Sequence, residues 1–385
     1  MALKIFTATL CRVILNTSRR FAYPFAPVLS RGLGVELTAI TSLIAANQAT
    51  ALFGIFFGPV ADRLGYRLMM LAALAMLALG MFAGGFFPFY GVILVALFLA
   101  GIGKTIFDPA IQAYVSERVP FKNRGLVIGL IEYSWSASTL VGIPLIALLI
   151  DRFGWRAPFI VLGGLSLLGM IMLAVVIPRD DKKGISHQAS MNLWGAWHNL
   201  LKNRASLGAL GFAFFISAAN VNLFVVYGAW LEKSFDLSII ALGMSTGLIG
   251  LAELSGETLT AVFADRFGLK RTVITALTLC LICYGILPFL GLTLPLALTS
   301  LFLIFLTFEF AIVTSMSLFT ELMPEYRATM MSGFFAAAGM GRIAGALMGG
   351  HVWLAGGILA TGLVSAAVSG LGLASLAWGL YGWRR

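Results

Sequence analysis

The sequence predicts an all-α polytopic membrane protein with twelve transmembrane helices in two six-helix bundles. Three observations predict this fold: a strongly apolar composition, regularly recurring apolar runs, and a charged loop motif that occurs once in each half. Of the 385 residues, 60% are hydrophobic and 11% are charged, and the mean hydropathy is +0.96. A soluble domain has about 25% charged residues, so this composition excludes a soluble fold.

Twelve apolar runs are long enough to cross a bilayer, which takes roughly 20 mostly apolar residues. In the first half they cover residues 5–28, 37–61, 68–88, 91–116, 124–150 and 157–178. In the second half they cover residues 205–229, 239–263, 271–291, 295–320, 328–350 and 355–380. The sequence therefore predicts an N-terminal bundle over 1–178, a cytoplasmic linker over 179–204 and a C-terminal bundle over 205–385.

The distribution of Lys and Arg predicts the orientation of the chain in the membrane. If the N-terminus is cytoplasmic, 17 of the 26 Lys and Arg lie in cytoplasmic segments and four lie in outer segments. This is the positive-inside pattern, so both termini are predicted to be cytoplasmic. The formal net charge of +10 is thereby explained by membrane topology, and no nucleic-acid partner is predicted.

One charged motif occurs twice in the sequence. GPVADRLGYR covers residues 58–67 and AVFADRFGLKR covers residues 261–271, and the aspartates of the two copies are 203 residues apart. Arg124 and Arg327, in two later loop segments, have the same spacing. Several loop signals with one common offset indicate a duplicated six-helix unit.

These motifs resemble those of the major facilitator superfamily of secondary transporters. GPVADRLGYR is similar to the signature of the loop between spans two and three. DRFGWRAPF (151–159) is similar to the entry to span six, and IFDPAIQAYVSERVPFKNRG (106–125) to the end of span four and its loop. The resemblance covers the whole chain and implies alternating access around a central site that spans one, four, seven and ten surround.

Within that superfamily the loop motifs look like those of drug–proton antiporters and efflux permeases. This implies proton-coupled export of a small solute by a monomer, in a bacterial inner membrane. Three positions depart from the branch: Leu97 stands in place of its usual Arg, Gly142-Ile143-Pro144 is a loose form of its span-five signature, and Ala261 replaces the first glycine of the motif. Proton symport or facilitated uptake of a small anionic or zwitterionic solute is therefore an open alternative.

The two motif copies supply the candidate gating residues. Their glycines are expected to permit tight turns, and their bases to remain at the cytoplasmic face. By resemblance, the aspartates help to latch the two bundles together in the outward-open state, although topology alone also explains the second copy. These residues are Gly58, Asp62, Arg63, Gly65, Arg67, Asp265, Arg266 and Gly268.

Ten charged residues fall inside the predicted spans. Each costs roughly 2.5–3.5 kcal/mol at mid-span, so they must pair with one another or face a water-filled cavity. In span one, the polar residues from Arg12 to Tyr23 recur at helical spacing, and Lys104, Asp108 and Gln112 do so in span four. With the resemblance, the candidate substrate cavity consists of Arg19, Arg20, Lys104, Asp108, Asn222 and Glu309.

Several of these charges also fit structural roles. Arg12 lies near the cytoplasmic end of its span and is expected to snorkel to the interface. Lys104 and Asp108, one turn apart, fit a closed intrahelical pair as well as they fit a binding site. Arg19 and Arg20 lie deeper in the span, which favours a functional role.

Four acids are the candidates for proton coupling: Asp108, Glu132, Glu253 and Glu257. In this hypothesis an embedded acid takes up a proton, weakens its pair with a base and so alters the preference of the cavity for substrate. Glu253 and Glu257 lie one helical turn apart, and two carboxylates that close do not both ionise cheaply. The alternative is that Arg342 neutralises one of them.

No catalytic residue, metal site or cofactor is predicted. Gly243-Met-Ser-Thr-Gly247 has a hydrolase pattern and the stretch 339–344 a dinucleotide-binding pattern, but both lie in apolar helices without the strand that these motifs require. We interpret both as sites of close helix packing. The arginine pair favours an anionic or zwitterionic solute and the acids a cationic or proton-coupled one, and a non-transporting membrane sensor is the alternative from another class.

Overall fold

The computed structural model describes residues 2–54, 57, 64–119, 127, 131–178, 198, 200–323 and 327–382. Within these residues, all regular structure is helical. The chain divides into two compact units, Met1–Ser186 with Leu237–Gly250, and His187–Asp236 with Leu251–Arg385. Most of the predicted linker lies outside the described residues, so the predicted bundle boundaries stay a prediction.

The first unit contains eight helices and part of a ninth. They are α1 (Ala2–Arg20), α2 (Ala26–Leu33), α3 (Leu37–Ala49), α4 (Tyr66–Phe86), α5 (Tyr90–Arg118), α6 (Ser134–Ala137), α7 (Ile143–Phe153) and α8 (Ala157–Val176). A 3₁₀ turn, Thr50–Phe53, extends α3, and a π turn, Ser138–Gly142, joins α6 to α7.

The second unit contains the remaining helices. They are α9 (Arg204–Phe224), α10 (Tyr227–Phe235), α11 (Ile239–Phe267), α12 (Leu269–Leu290), α13 (Leu294–Leu322) and α14 (Arg327–Gly379). The first part of α11 belongs to the first unit. Non-helical dihedrals at Gly356 and Gly357 interrupt α14, at the predicted boundary between spans eleven and twelve.

The described helices have the length and composition of membrane spans. Among the described residues, nine helices qualify, and the bent pair of α2 and α3 raises the number to ten. The longest, Met330–Gly379, contains the interruption in α14 and so accounts for two predicted spans. Predicted span one corresponds to α1, which is less apolar because of its arginines, together with α2, and predicted span two corresponds to α3. Counted in this way, the described helices fit the twelve-helix fold.

The first span of each half is broken at a matching position, which the apolar runs did not reveal. In predicted span one (5–28), the helix ends at Arg20 and a second helix begins at Ala26. In predicted span seven (205–229), the helix ends at Phe224 and a second helix begins at Tyr227. In the first break, Pro24 cannot donate a backbone hydrogen bond. Hydrophobic periodicity detects a span but not such a break.

One glycine of each loop motif has a positive φ, as expected for a glycine in a tight turn. Gly65 has φ 92° and ψ 141°, and Gly268, 203 residues later, has φ 81° and ψ 132°. Both glycines directly precede a long helix, in a region of φ that favours glycine. Gly58, Asp62, Arg63 and the side chain of Asp265 lie outside the described residues, so the latch stays a prediction, and Arg266 lies exposed at the end of α11.

A basic residue of each motif donates to a backbone carbonyl at the C-terminal end of another helix in its own unit. Arg67 Nη2 donates to the carbonyl of Ala174 at 2.6 Å, and Lys270 Nζ donates to the carbonyl of Leu380 at 3.0 Å. Cations are favourable at helix C-termini, where carbonyls lack intrahelical donors. The duplication therefore extends to these side-chain contacts.

The two glycine patterns are sites of close helix packing, as interpreted from the sequence. A Cβ atom on Gly243 would overlap the side chain of Ala147. In the other unit, a Cβ atom on Gly341 would overlap a backbone carbonyl of α9. Small residues let membrane helices approach in this way.

Candidate functional site

Four basic side chains are buried together in the first unit. Three come from the polar stripe of α1 and one comes from α5, and each exposes less than a tenth of its surface. The exposed fractions are 4% for Arg12, 8% for Arg19, 4% for Arg20 and 6% for Lys104. Buried cations of this kind are costly in a membrane unless they are paired or functional.

Arg12 is the centre of an ion-pair cluster. Its Nε donates to Asp108 Oδ1 and its Nη2 to Glu132 Oε2, both at 2.9 Å. Its Nη1 donates to the carbonyl of Ile131 at 2.9 Å. The expectation that Arg12 snorkels to the interface is therefore wrong, because two carboxylates and a carbonyl from other parts of the fold converge on it.

Lys104 and Asp108 form the predicted pair, but the pair is not closed. Lys104 Nζ donates to Asp108 Oδ2 at 2.6 Å across one turn of α5. The other carboxylate oxygen of Asp108 is bound to Arg12. Asp108 therefore joins α5 to α1 and holds two cations at once.

Glu132 is the more accessible carboxylate of this cluster. Its side chain is 43% exposed, against 25% for the side chain of Asp108. Glu132 Oε2 binds Arg12, and Oε1 accepts a hydrogen bond from Gln112 Nε2 at 3.4 Å. Protonation of Glu132 would therefore weaken one ion pair, whereas protonation of Asp108 would weaken two.

Arg19 is held by neutral groups. Its Nε donates to Asn47 Oδ1 at 3.0 Å and its Nη2 to Gln48 Oε1 at 2.6 Å. Asn47 is fixed in turn by donating to the carbonyl of Leu97, and Gln48 by donating to Tyr23 Oη. Among the described residues, no carboxylate lies within ion-pair distance of Arg19.

Arg20, the residue after Arg19 on α1, points to the segment that follows Glu132. Its guanidinium carbon lies 4.1 Å from the centre of the Trp135 ring, and its Nη1 donates to the Trp135 carbonyl at 3.5 Å. Lys104 Nζ lies 5.6 Å from the centre of the same ring. Trp135 therefore contacts cations of both α1 and α5.

Asn222 and Glu309 lie in the second unit. Asn222 is fully buried, and its Nδ2 donates to Ser365 Oγ at 3.0 Å and to the Thr361 carbonyl at 3.2 Å. The described hydrogen bonds of this predicted cavity residue thus go to the last part of α14. Glu309 is buried on α13. A Cβ atom added to Gly256 of α11 would lie 2.8 Å from the Cβ atom of Glu309.

The two acids of α11 flank this crossing with α13. Glu253 is buried and Glu257 is half-buried, and Gly256 lies between them in sequence. The structure thus brings the three predicted acids of the second unit to neighbouring positions on two helices. Among the described residues, no group of three or more His, Cys, Asp or Glu side chains is arranged to hold a metal ion.

Sequence reasoning missed the neutral partners of the site: Asn47, Gln48, Ser134 and Trp135. Asn47 and Gln48 were visible as an adjacent pair of amides inside a predicted apolar span, which is an unusual place for polar side chains. Ser134 accepts from Asn16 Nδ2 at 3.2 Å and from Arg12 Nη1 at 3.3 Å. The positions of Ser134 and Trp135 in the sequence did not indicate that either residue contacts α1.

Comparison with known proteins supports the fold and the broad function. The protein shares 25% identity with the uncharacterized MFS-type transporter YceJ of Bacillus subtilis (strain 168), over 88% of this chain and 86% of that protein. It shares 25% identity with the gentisate transporter of Corynebacterium glutamicum, over 63% of this chain and 58% of that protein.

The fold is also that of a solved transporter. A bacterial homolog of the human lysosomal transporter Spinster, in an inward-facing and unoccupied conformation, superposes with a TM-score of 0.80 and 15% identity. The superposition covers 99% of this chain and 96% of that one. Residues 8–346 match the family description Major Facilitator Superfamily. The chain therefore belongs to the Major Facilitator Superfamily and is a membrane transporter of a small solute.

Proposed function

We propose that this transporter carries a small anionic solute and that Arg19 binds its oxyanion group. The observation that carries the proposal is the environment of Arg19, a buried guanidinium whose described partners are two amide oxygens. Moving a charge out of water costs several kcal/mol unless a counter-charge compensates it. A bound anion would supply that counter-charge during transport.

The hydrogen bonds of Arg19 leave one end of its guanidinium available. A guanidinium carries five N–H donors. Described residues accept from the Nε–H of Arg19 and from one N–H on its Nη2. Nη1 makes no hydrogen bond with any described residue. A carboxylate or a similar planar oxyanion takes two parallel N–H bonds from Arg, which fits the end formed by Nη1 and Nη2.

The other members of the site suit different roles. Arg12 and Lys104 are already paired with Asp108 and Glu132, so they are less suited to an anion than Arg19.

Similarity to a protein named as a gentisate transporter supports an aromatic carboxylate as the first compound to test. It also supports the sequence-based alternative of an anionic solute.

We further propose that transport is coupled to protons through Glu132, and that export is its direction. Glu132 is the more exposed acid of the cluster and holds Arg12, so its protonation would release one arm of the link between α1 and the segment before α6. One pH unit supplies about 1.4 kcal/mol per proton, and each 100 mV about 2.3 kcal/mol per charge. Together these can sustain a solute gradient of roughly a few hundred-fold. The direction rests on the resemblance of the loop motifs to efflux carriers.

The test is flux into liposomes with Arg19 altered. Wild-type protein should transport radiolabelled gentisate and should not transport its methyl ester, which keeps the ring but has no charge. Arg19→Gln should lower gentisate transport at least about tenfold, since a bidentate charged contact is lost. Arg19→Lys should retain part of it, because Lys keeps the charge without the fork geometry.

Arg31→Gln serves as the control, because Arg31 is exposed on α2 and its loss should leave gentisate transport unchanged. Equal flux of gentisate and its ester, or full activity of Arg19→Gln, would contradict the proposal. Specific binding of gentisate without any flux would favour the sensor alternative.

A further inference from the structure

Trp135 is the second residue, after Arg12, on which several parts of the site converge. Its ring lies 4.1 Å from the guanidinium carbon of Arg20 and 5.6 Å from Lys104 Nζ. Its carbonyl accepts from Arg20 Nη1 at 3.5 Å and from Ser138 Oγ at 2.6 Å. One residue therefore holds Arg20 by two different kinds of contact.

The local backbone fixes Trp135 in turn. The π turn at Ser138–Gly142 follows it, and π turns of this kind occur frequently at functional sites. Thr139 Oγ1 also donates to the Trp135 carbonyl, at 3.5 Å. At the end of the turn, a Cβ atom on Gly142 would overlap Thr17 Oγ1. The turn is thus packed directly against α1, two residues before Arg19.

An aromatic ring holds a cation differently from a carboxylate. The ring face attracts the guanidinium through its quadrupole, and Trp does so most strongly, but the ring has no net charge that would cancel the charge of the cation. A carboxylate in the same place would remove most of the attraction for an anionic ligand. A ring therefore suits a cation that must be held still and also attract an anion.

We propose that Trp135 is a positioning residue of the anion site, which holds Arg20 in place so that Arg20 and Arg19 act together on the oxyanion. The role in transport rests on the proposed function of Arg19. The position of Arg20 does not, because it can be measured without any transported solute.

The first experiment measures the position of Arg20 directly. Purified wild type, Trp135→Phe and Trp135→Leu are treated with phenylglyoxal, and modification of Arg20 is followed by mass spectrometry of its peptide. Loss of the ring should speed the reaction at Arg20 about three- to tenfold in Trp135→Leu, while Trp135→Phe should stay close to wild type because it keeps a π face. Trp353→Leu, the same substitution in the other unit, should leave the rate unchanged.

The second experiment measures gentisate flux in the same variants. Trp135→Leu should raise KM about three- to tenfold with little change in the maximal rate, and Trp135→Phe should restore most of the affinity. A purely structural role would lower the maximal rate and the thermal unfolding temperature together. If Trp135→Leu does not fold, Trp135→Met fills much of the ring volume without a π face and takes its place.

The outcomes separate the two proposals. An unchanged reactivity of Arg20 in Trp135→Leu would overturn the positioning role whatever the solute. Faster reaction of Arg20 with an unchanged KM for gentisate would overturn its contribution to binding. Failure of wild type to transport gentisate would remove the proposed function, while the reactivity of Arg20 would still show whether Trp135 holds it.

Discussion

At the scale of residues, three arginines on one helix have three kinds of partner. Arg12 binds carboxylates, Arg19 binds amides, and Arg20 lies on an aromatic ring. Their spacing on α1 is periodic, but their partners come from α3, α5 and the segment around α6. The charge state of each environment, rather than the type of residue, distinguishes the proposed anion site from the proposed proton site.

The role of Glu132 leads to a prediction about pH. In liposomes with an acidic lumen, wild type should accumulate gentisate about tenfold per pH unit for one exchanged proton. Glu132→Gln keeps an oxygen that can accept from Arg12 but cannot take up a proton, so it should not respond to the gradient. Exchange of gentisate at equal pH should persist in this variant.

Glu36→Gln is the matched control, because Glu36 is an exposed acid at the start of α3 and its loss should leave the pH response intact. If Glu132→Gln still accumulated gentisate in response to the gradient, another acid would have to carry the proton.

At the scale of elements, the approach of α5 to the end of α3 supports Arg19. A Cβ atom on Gly101 would overlap Thr50 Oγ1 and would lie 2.7 Å from the Asn47 carbonyl. Asn47 also donates to the Leu97 carbonyl, one turn earlier on α5. The absence of a side chain at Gly101 therefore sets the distance between the two helices and the position of the amide that holds Arg19.

Gly101→Ala should raise the KM for gentisate several-fold and lower the thermal unfolding temperature. Introducing volume into a well-packed contact typically costs about 1–3 kcal/mol, and a backbone carbonyl cannot move away as a side chain can. The measurement is flux together with thermal unfolding in detergent.

Gly91→Ala is the control on the same helix, because a Cβ atom there has no neighbour within 4 Å. Identical KM and unfolding temperature for the two variants would show that the contact at Gly101 does not position Asn47.

At the scale of the whole molecule, the duplication is visible in conformation as well as in sequence. The motif glycines precede α4 and α12 with nearly equal dihedrals. The bases two residues after them, Arg67 and Lys270, each donate to a carbonyl at the C-terminal end of α8 and of α14, respectively. Each unit therefore repeats the same hydrogen bond, from a basic residue of the motif to a carbonyl at a helix end, on the predicted cytoplasmic side.

The predicted orientation can be tested by labelling single cysteines in a variant without native cysteine. Lys4→Cys and Lys202→Cys should react with an impermeant maleimide only after the membrane is opened. Arg31→Cys and Lys233→Cys should react in intact cells, because the positive-inside pattern places these segments outside. The opposite labelling pattern would contradict the predicted topology, in which both termini are cytoplasmic.

The sequence by itself determined the class of the protein, its spans and its duplicated plan. Composition and apolar runs set these properties, since a bilayer imposes a fixed length and polarity on every span. The same patterns indicated that the charges of α1 and α5 must be paired or functional, because each is costly in a membrane.

Only the tertiary structure decided what each charge binds. Arg12 lies near the cytoplasmic end of its predicted span, so its position in the sequence suggested snorkelling, yet Asp108 and Glu132 meet it from segments about a hundred residues away. Asn47, Gln48 and Trp135 became visible as partners through the packing of their segments on α1. Periodicity specifies which residues share a face of one helix, whereas the partner of that face depends on how the helices pack together.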